Sequence, residues 1–265
     1  MILLIFEGQK EEPQIMTTIK TLFFGRGKEQ LLCSYGTDTY TLWRDIKLYA
    51  EDGYDVDVFQ IVKERMHSRG DYSLDVYDSY SIDSIYLFFD YDPQNKKLGL
   101  QRLNKAVSEL IDTFNDPMDN GQLFISYPMA EAVYCEDSIP SDAFMTATVS
   151  LNDCHGFKDW IKNYNIAKSK NTIKCNACQL RDITSNADSF IALKQKWIEL
   201  VKMNATKANY ICNARKSVPT DVNMINQKSV FYHELSDFVE KNNEVSILSS
   251  FPMFLFEYFH GCGDF

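Results

Sequence analysis

The stretch Met1-Ile2-Leu3-Leu4-Ile5-Phe6-Glu7-Gly8-Gln9-Lys10-Glu11-Glu12-Pro13 decides how the rest of the chain is read. Its apolar run, residues 2–6, predicts a strand buried on both faces, as in a parallel sheet covered by helices on either side. Glu7-Gly8 ends the run. Pro13 suits the first turn of a helix, and Ile15, Ile19, Leu22 and Phe23 then recur at helical spacing. The alternation continues outward. Residues 31–35, 85–89 and 123–127 read as further strands, and 40–50, 56–66 and 100–114 as helices, with Asp52-Gly53 separating the first two.

Beyond residue 140 the character changes. Residues 157–166, 189–208 and 222–240 predict helices, and strand candidates are few until a short one at 245–248, followed by an apolar helix through Phe259. The expected architecture is an α/β core over 1–140 with a mainly parallel sheet, a helical lobe over 141–243, and a strand–helix element over 244–265 that packs back on the core. At 265 residues with 45% apolar content, the chain is long enough for a sizeable core, and its composition excludes collagen-like or low-complexity character.

Charge is distributed unevenly. The whole chain has 27 Lys and Arg against 37 Asp and Glu, a formal charge of −10 that argues against a protein coating nucleic acid through basic charge alone. Residues 151–216 nevertheless contain 12 Lys and Arg against 5 Asp and Glu, a local charge of +7. Neither apolar run, 1–6 nor 251–256, approaches the ~20 residues of a membrane span, so no membrane association is expected. With no export signal and seven scattered cysteines, the expectation is a cytoplasmic protein with reduced thiols. Cys175-Asn-Ala-Cys178 is a single ligand pair, and with Cys154, His155 and Cys212 it makes a weak zinc signal. Gly25-Arg26-Gly27-Lys28 lacks the Gly-Lys-Ser/Thr ending of a phosphate-binding loop.

Acids at strand ends are the chemical signal. Open parallel sheets place their sites beyond the carboxyl ends of the strands. Glu7 ends the first strand, Asp90 and Asp92 end the strand over 85–89, and Glu131 follows the one over 123–127. If the third strand continues through Asp90 and Asp92, alternation puts both carboxylates on one face. Such a set suits a hard divalent cation, because Mg²⁺ is held by carboxylates, waters and substrate phosphates.

These residues resemble a known family. A strand ending in Glu7-Gly8, a helix, and a later strand ending in Asp90-Tyr-Asp92 are similar to the Toprim domain of topoisomerases, primases and OLD-type nucleases. Glu7-Gly8-Gln9-Lys10-Glu11-Glu12-Pro13 further resembles the Glu-Gly-x-Lys-x-Glu-Pro opening of RloB-like proteins of bacterial antiphage loci, and Tyr127-Pro128-Met129-Ala130-Glu131 their Pro-x-x-Glu segment. The resemblance covers residues 1–140. It implies that Glu7, Asp90 and Asp92 are catalytic and hold Mg²⁺ or Mn²⁺ together with Glu11 and Glu131. The second acid is either Glu11, by the general Toprim spacing, or Glu12, by the RloB-like pattern.

The implied activity is metal-dependent hydrolysis of phosphodiesters in DNA or RNA, tRNA included, by a defence effector under the control of an ABC- or SMC-like ATPase. Self-association is left open. No clear downstream lysine motif is present, and Lys158, Lys168, Lys170 and Lys174 are the candidates for substrate contact. Trp160, Tyr164, Trp197 and Tyr210 are weighed as stacking residues against the alternative that they belong to the core. Two other functions are carried: a non-catalytic Toprim-like sensor or scaffold, and a haloacid-dehalogenase-like phosphatase. The latter normally has Thr or Val where Gln94 stands.

Overall fold

The computed structural model describes residues 1–25, 29–51, 56–94, 99–137, 141–166 and 173–263. Asp52-Gly53, residues 26–28, Lys168, Lys170 and the side chain of Tyr164 lie outside that description. A five-stranded sheet forms from β1 (Ile2–Phe6), β2 (Gln30–Ser34), β3 (Ser84–Asp90), β4 (Asn115–Asp116) and β5 (Gly121–Ser126), in the order β2-β1-β3-β5-β4. Its four main strands are parallel, and only the two-residue β4 runs antiparallel, against β5. Helices α1 (Glu11–Ile19), α2 (Thr39–Glu51), α3 (Val58–His67) and α4 (Leu100–Thr113) connect these strands.

The strand order fixes where a site can form. From β1 the chain moves to β2 on one side and later returns to β3 on the other. This reversal splays the connections apart and opens a crevice at the carboxyl ends of β1 and β3.

Register builds the core beneath it. Phe6 pairs with Phe88, and Phe88 with Phe124, so three rings line up across three adjacent strands. Their centroids are 5.4 and 5.7 Å apart in stacked orientation. The row is covered by Phe251 and Phe254, whose rings lie 5.2 and 5.3 Å from that of Phe88.

The second half is helical: α5 (Ser141–Phe144), α6 (Phe157–Ile166), α7 (Ala177–Thr184), α8 (Ala187–Asn213), α9 (Gln227–His233), α10 (Glu240–Asn242) and α11 (Ser250–Tyr258). Phe251 and Phe254 belong to α11, so the last helix packs directly on the sheet. A small antiparallel ribbon, β6 (Thr148–Ser150) with β7 (Glu244–Ser246), leads into it. Tyr127 and Leu248 exchange backbone hydrogen bonds of 2.8 and 2.9 Å, tying the ribbon to the end of β5.

Two expectations change. Residues 222–240 are not one helix. A 3₁₀ turn at Val222–Ile225 is followed by α9, and α9 runs into a π-helical turn at Glu234–Val239. Asn226 forces the break, since its side chain caps α9 by accepting from the Ser229 N–H at 2.9 Å. β3 also stops at Asp90, and Asp92 sits in a turn with φ of +37°, so simple alternation does not place the two carboxylates on one face. Among the described residues, no helix is long and apolar enough to cross a membrane.

Candidate acidic site at the carboxyl ends of the strands

Glu7 leaves β1 immediately after Phe6, and its own N–H donates to the Phe88 carbonyl at 3.0 Å. Its Oε2 accepts from the Asp90 N–H at 3.1 Å, so the first acid is clamped to the backbone of the third strand. Asp90 Oδ1 accepts from the Ala130 N–H at 2.8 Å, which brings in the segment after β5. Glu12, in the first turn of α1, accepts from the Gly8 N–H at 2.9 Å. Gly8 leaves room for this contact, because a Cβ here would push the Glu12 carboxylate aside.

The electrostatics follow from this crowding. Burial pushes Glu7 up from 4.5 to about 8, against the Asp90 N–H that lowers it, and the charges of Glu12, Asp92 and Asp38 add to the rise. Asp90 is held well above the usual carboxylate range, first by burial and then by Glu7, Glu12 and Glu131. Glu12 and Asp92 are raised in the same direction, again mainly by burial. Acids that repel one another share one crevice.

Cations stand at the periphery. Lys158 of α6 pairs with the buried Glu131. Lys174 pairs with Glu11 at 2.7 Å, and Tyr134 donates a hydrogen bond to the same carboxylate. Burial alone would raise Glu11, but these two partners hold it below the usual range. Of the two candidates for the second acid, Glu11 is therefore committed to a lysine, whereas Glu12 feeds the cluster. The structure centres the cluster on Asp90, which feels the charges of Glu7, Glu12 and Glu131, with Glu12 in turn coupled to Glu7 and Glu131. Asp92 joins the cluster through Glu7 and also feels Asp38, and Lys158 and Lys174 stand against acids at the rim.

Asp38 and Thr39 belong to the site and escaped the sequence reading. The Thr39 hydroxyl donates to the Asp90 carbonyl at 2.8 Å and lies 3.5 Å from Glu7 Oε2. Asp38 follows β2 and accepts from the N–H and hydroxyl of Thr41 at 2.9 and 2.7 Å. The strand-end rule that selected Glu7, Asp90 and Glu131 would have found Asp38 had it been applied to β2 as well. The φ of Asp92, rare for a residue with a side chain, is a local strain of the kind found at functional sites.

Among the described residues, no group of three or more His, Cys, Asp or Glu side chains is arranged to hold a metal ion. The carboxylates instead satisfy backbone N–H groups, as the bonds above show. The donor chemistry still fits a hard divalent cation: the oxygens are carboxylate oxygens, crowded by like charge, with a glycine leaving one of them room. Among the cysteines, Cys175 is buried while Cys178 is exposed. Trp197 is fully buried, its Nε1 donating to the Ile173 carbonyl at 3.1 Å, so it serves the core and not a stacking surface. Lys216 lies over the half-buried ring of Tyr210 at 5.1 Å.

Comparison with known protein families, with curated proteins and with solved structures finds no match.

The raised carboxyls make a testable pH dependence. A group whose folded pKa lies above its unfolded value binds more protons in the folded state between the two, so stability falls as pH rises through that interval. For Glu7 the interval runs from 4.5 to about 8. The metal-free protein is expected to lose several degrees of Tm across it. Glu7→Gln, which keeps an oxygen for the Asp90 N–H, is expected to flatten the fall. Parallel slopes in thermal melts of the two proteins would show that Glu7 does not titrate in this way.

Proposed function

We propose that this chain is a Toprim-type nuclease that uses Mg²⁺ or Mn²⁺ to hydrolyse phosphodiester bonds in DNA or RNA. The observation that carries the reading is the gathering of Glu7, Glu12, Asp90 and Glu131 at the reversal point between β1 and β3, where their charges oppose one another. Glu7, Asp90 and Glu12 would hold the cation, with Asp92 and Glu131 as flanking oxygen donors. A bound divalent ion supplies charge stabilisation at the phosphoryl oxygen and a water of lowered pKa.

The protein's residues do the rest. The Ala130 N–H fixes the Asp90 carboxyl, and the Asp90 N–H fixes Glu7. Thr39 anchors the Asp90 backbone from the far side. Burial lowers the Lys158 pKa, but Glu131, Glu11 and Asp90 outweigh it and hold the ammonium protonated at the rim of the site, where it would face a bound phosphate.

The RloB-like opening of residues 7–13 supports a role as an antiphage effector, with an ABC- or SMC-like ATPase as the controlling partner. A non-catalytic Toprim-like module is the second reading. It is favoured by the ion pairs that already engage Glu11 and Glu131.

Calorimetric titration with Mn²⁺ and Mg²⁺, beside cleavage assays on supercoiled plasmid and total tRNA, separates the two. The nuclease reading expects binding that releases protons, because the raised carboxyls must ionise, together with cleavage. Metal binding without cleavage, with or without the ATPase, would leave the scaffold. No binding at all would remove the metal site.

A further inference from the structure

A cavity of about 500 Å³ lies between the β6–β7 ribbon and the start of α6. Val149, Ile247, Phe157 and Trp160 supply its apolar lining, and Asp153 and His155 stand among its polar residues. Its volume falls within the roughly 300–1,000 Å³ of small-molecule sites. Trp160 is 44% exposed and sits 5.8 Å from the Phe157 ring. Of the other two tryptophans, Trp197 is in the core and Trp43 Nε1 donates to Glu109 at 2.7 Å.

These two polar residues have a definite hydrogen-bonding sense. His155 Nδ1 lies 2.8 Å from the Asn152 carbonyl. A carbonyl only accepts, so Nδ1 holds the hydrogen, and Nε2 of the neutral ring is an acceptor. The Asp153 carboxylate is a second acceptor. An apolar, partly aromatic lining with acceptors among it matches a flat heterocycle edged with N–H donors, which describes a nucleobase.

The cavity is also next to the acids. Lys158, between Phe157 and Trp160 in sequence, pairs with Glu131. Lys158 and Trp160 flank Phe157 on opposite sides of α6, and the tie to the acids runs through the ribbon, where Gln94, two residues after Asp92, donates its side-chain N–H to the Leu151 carbonyl beside Ser150 of the cavity. On the ribbon side, the Cys154 thiol is pushed up by burial and next by the charge of Asp92. The cavity therefore adjoins the Asp92 side of the acidic site, where the nucleotide next to a bound phosphate would enter it.

We propose that this cavity receives an unpaired nucleobase adjacent to the phosphodiester at the acidic site, which makes the substrate a single strand, a loop or a frayed end. The inference rests on the nuclease reading for its neighbour but not for its own chemistry. In a duplex the bases are stacked away from such a pocket, and extruding one costs a few kcal/mol.

The test is fluorescence titration with a labelled single-stranded oligonucleotide and its duplex, in Ca²⁺ without Mg²⁺ or Mn²⁺. The single strand is expected to bind more tightly than the duplex and to quench tryptophan emission. Trp160→Ala is expected to weaken single-strand binding about tenfold and abolish the quench, with duplex binding unchanged. Trp160→Phe should recover most of the affinity, and a thermal melt confirms that both variants fold. Equal affinity for the two nucleic acids, or an unaltered Trp160→Ala, overturns the proposal. The two readings fail separately. Asp90-dependent cleavage with a Trp160→Ala variant that binds normally removes the pocket and leaves the nuclease. Trp160-dependent single-strand binding by a wild type that cleaves nothing removes the nuclease and leaves the pocket.

Discussion

Asp90→Asn is expected to reduce metal-dependent cleavage by about 10³-fold or more, a loss of roughly 4 kcal/mol of transition-state stabilisation. The same change is expected to raise the Tm of the metal-free protein. The two effects have one cause. Asp90 is held above the usual carboxylate range by burial and by three neighbouring acids, so its charge is costly until a cation arrives. Asparagine retains an oxygen for the Ala130 N–H, which sits 2.8 Å from Oδ1, and so keeps the local fold. Differential scanning calorimetry with and without Mn²⁺ reads both halves. In the wild type Mn²⁺ should raise Tm, and in the variant it should do so far less. A variant that melts earlier than wild type without metal would mean that Asp90 is a structural acid and not a ligand.

Phe88→Ala is expected to destabilise the protein by about 3–5 kcal/mol. Phe88 is 1% exposed and touches rings on three sides: Phe6 and Phe124 in the sheet, and Phe251 and Phe254 above it. Truncation removes the middle of that row, and the flanking strands cannot close the gap without losing register. At roughly 2–4 °C per kcal/mol for a chain near this size, Tm should fall by about 10 °C. Phe88→Leu, which conserves more of the volume, should cost markedly less. A loss below about 1 kcal/mol in urea unfolding would show that the row collapses onto the void.

The parts of this fold that were legible in the sequence are the ones with strong, local signals. The runs 2–6 and 85–89 are apolar without interruption and became strands buried on both faces, whereas the equally apolar run 251–256 became helix α11, so length and flanking residues had to decide between the two. The amphipathic stretch that became α4 was visible from Leu103, Val107, Leu110 and Ile111, all buried. What stayed hidden was short or tertiary. β6 has three residues and no period to detect. β4 has two and exists because β5 offers an edge. The position of Asp92 depends on a backbone conformation that propensity disfavours. Within the site, Glu7 and Asp90 could be chosen from strand ends alone. The choice between Glu11 and Glu12 could not, because it turns on Lys174, a residue 163 positions away.

The bridge between Tyr127 and Leu248 has a consequence for how such a chain can change over evolutionary time. The intervening segment leaves the sheet and returns to it at neighbouring points, with the Ser126 and Ser250 hydroxyls 2.7 Å apart just inside the join. A segment with adjacent ends can be lengthened, shortened or exchanged without moving the strands that flank it. Lys158 and Trp160 lie on that segment, as do Glu131 and the Ala130 N–H that holds Asp90, whereas Glu7, Glu12 and Asp90 do not. Recombination at this single seam would thus leave those three acids in place while replacing what surrounds them, the Ala130 N–H and Glu131 included.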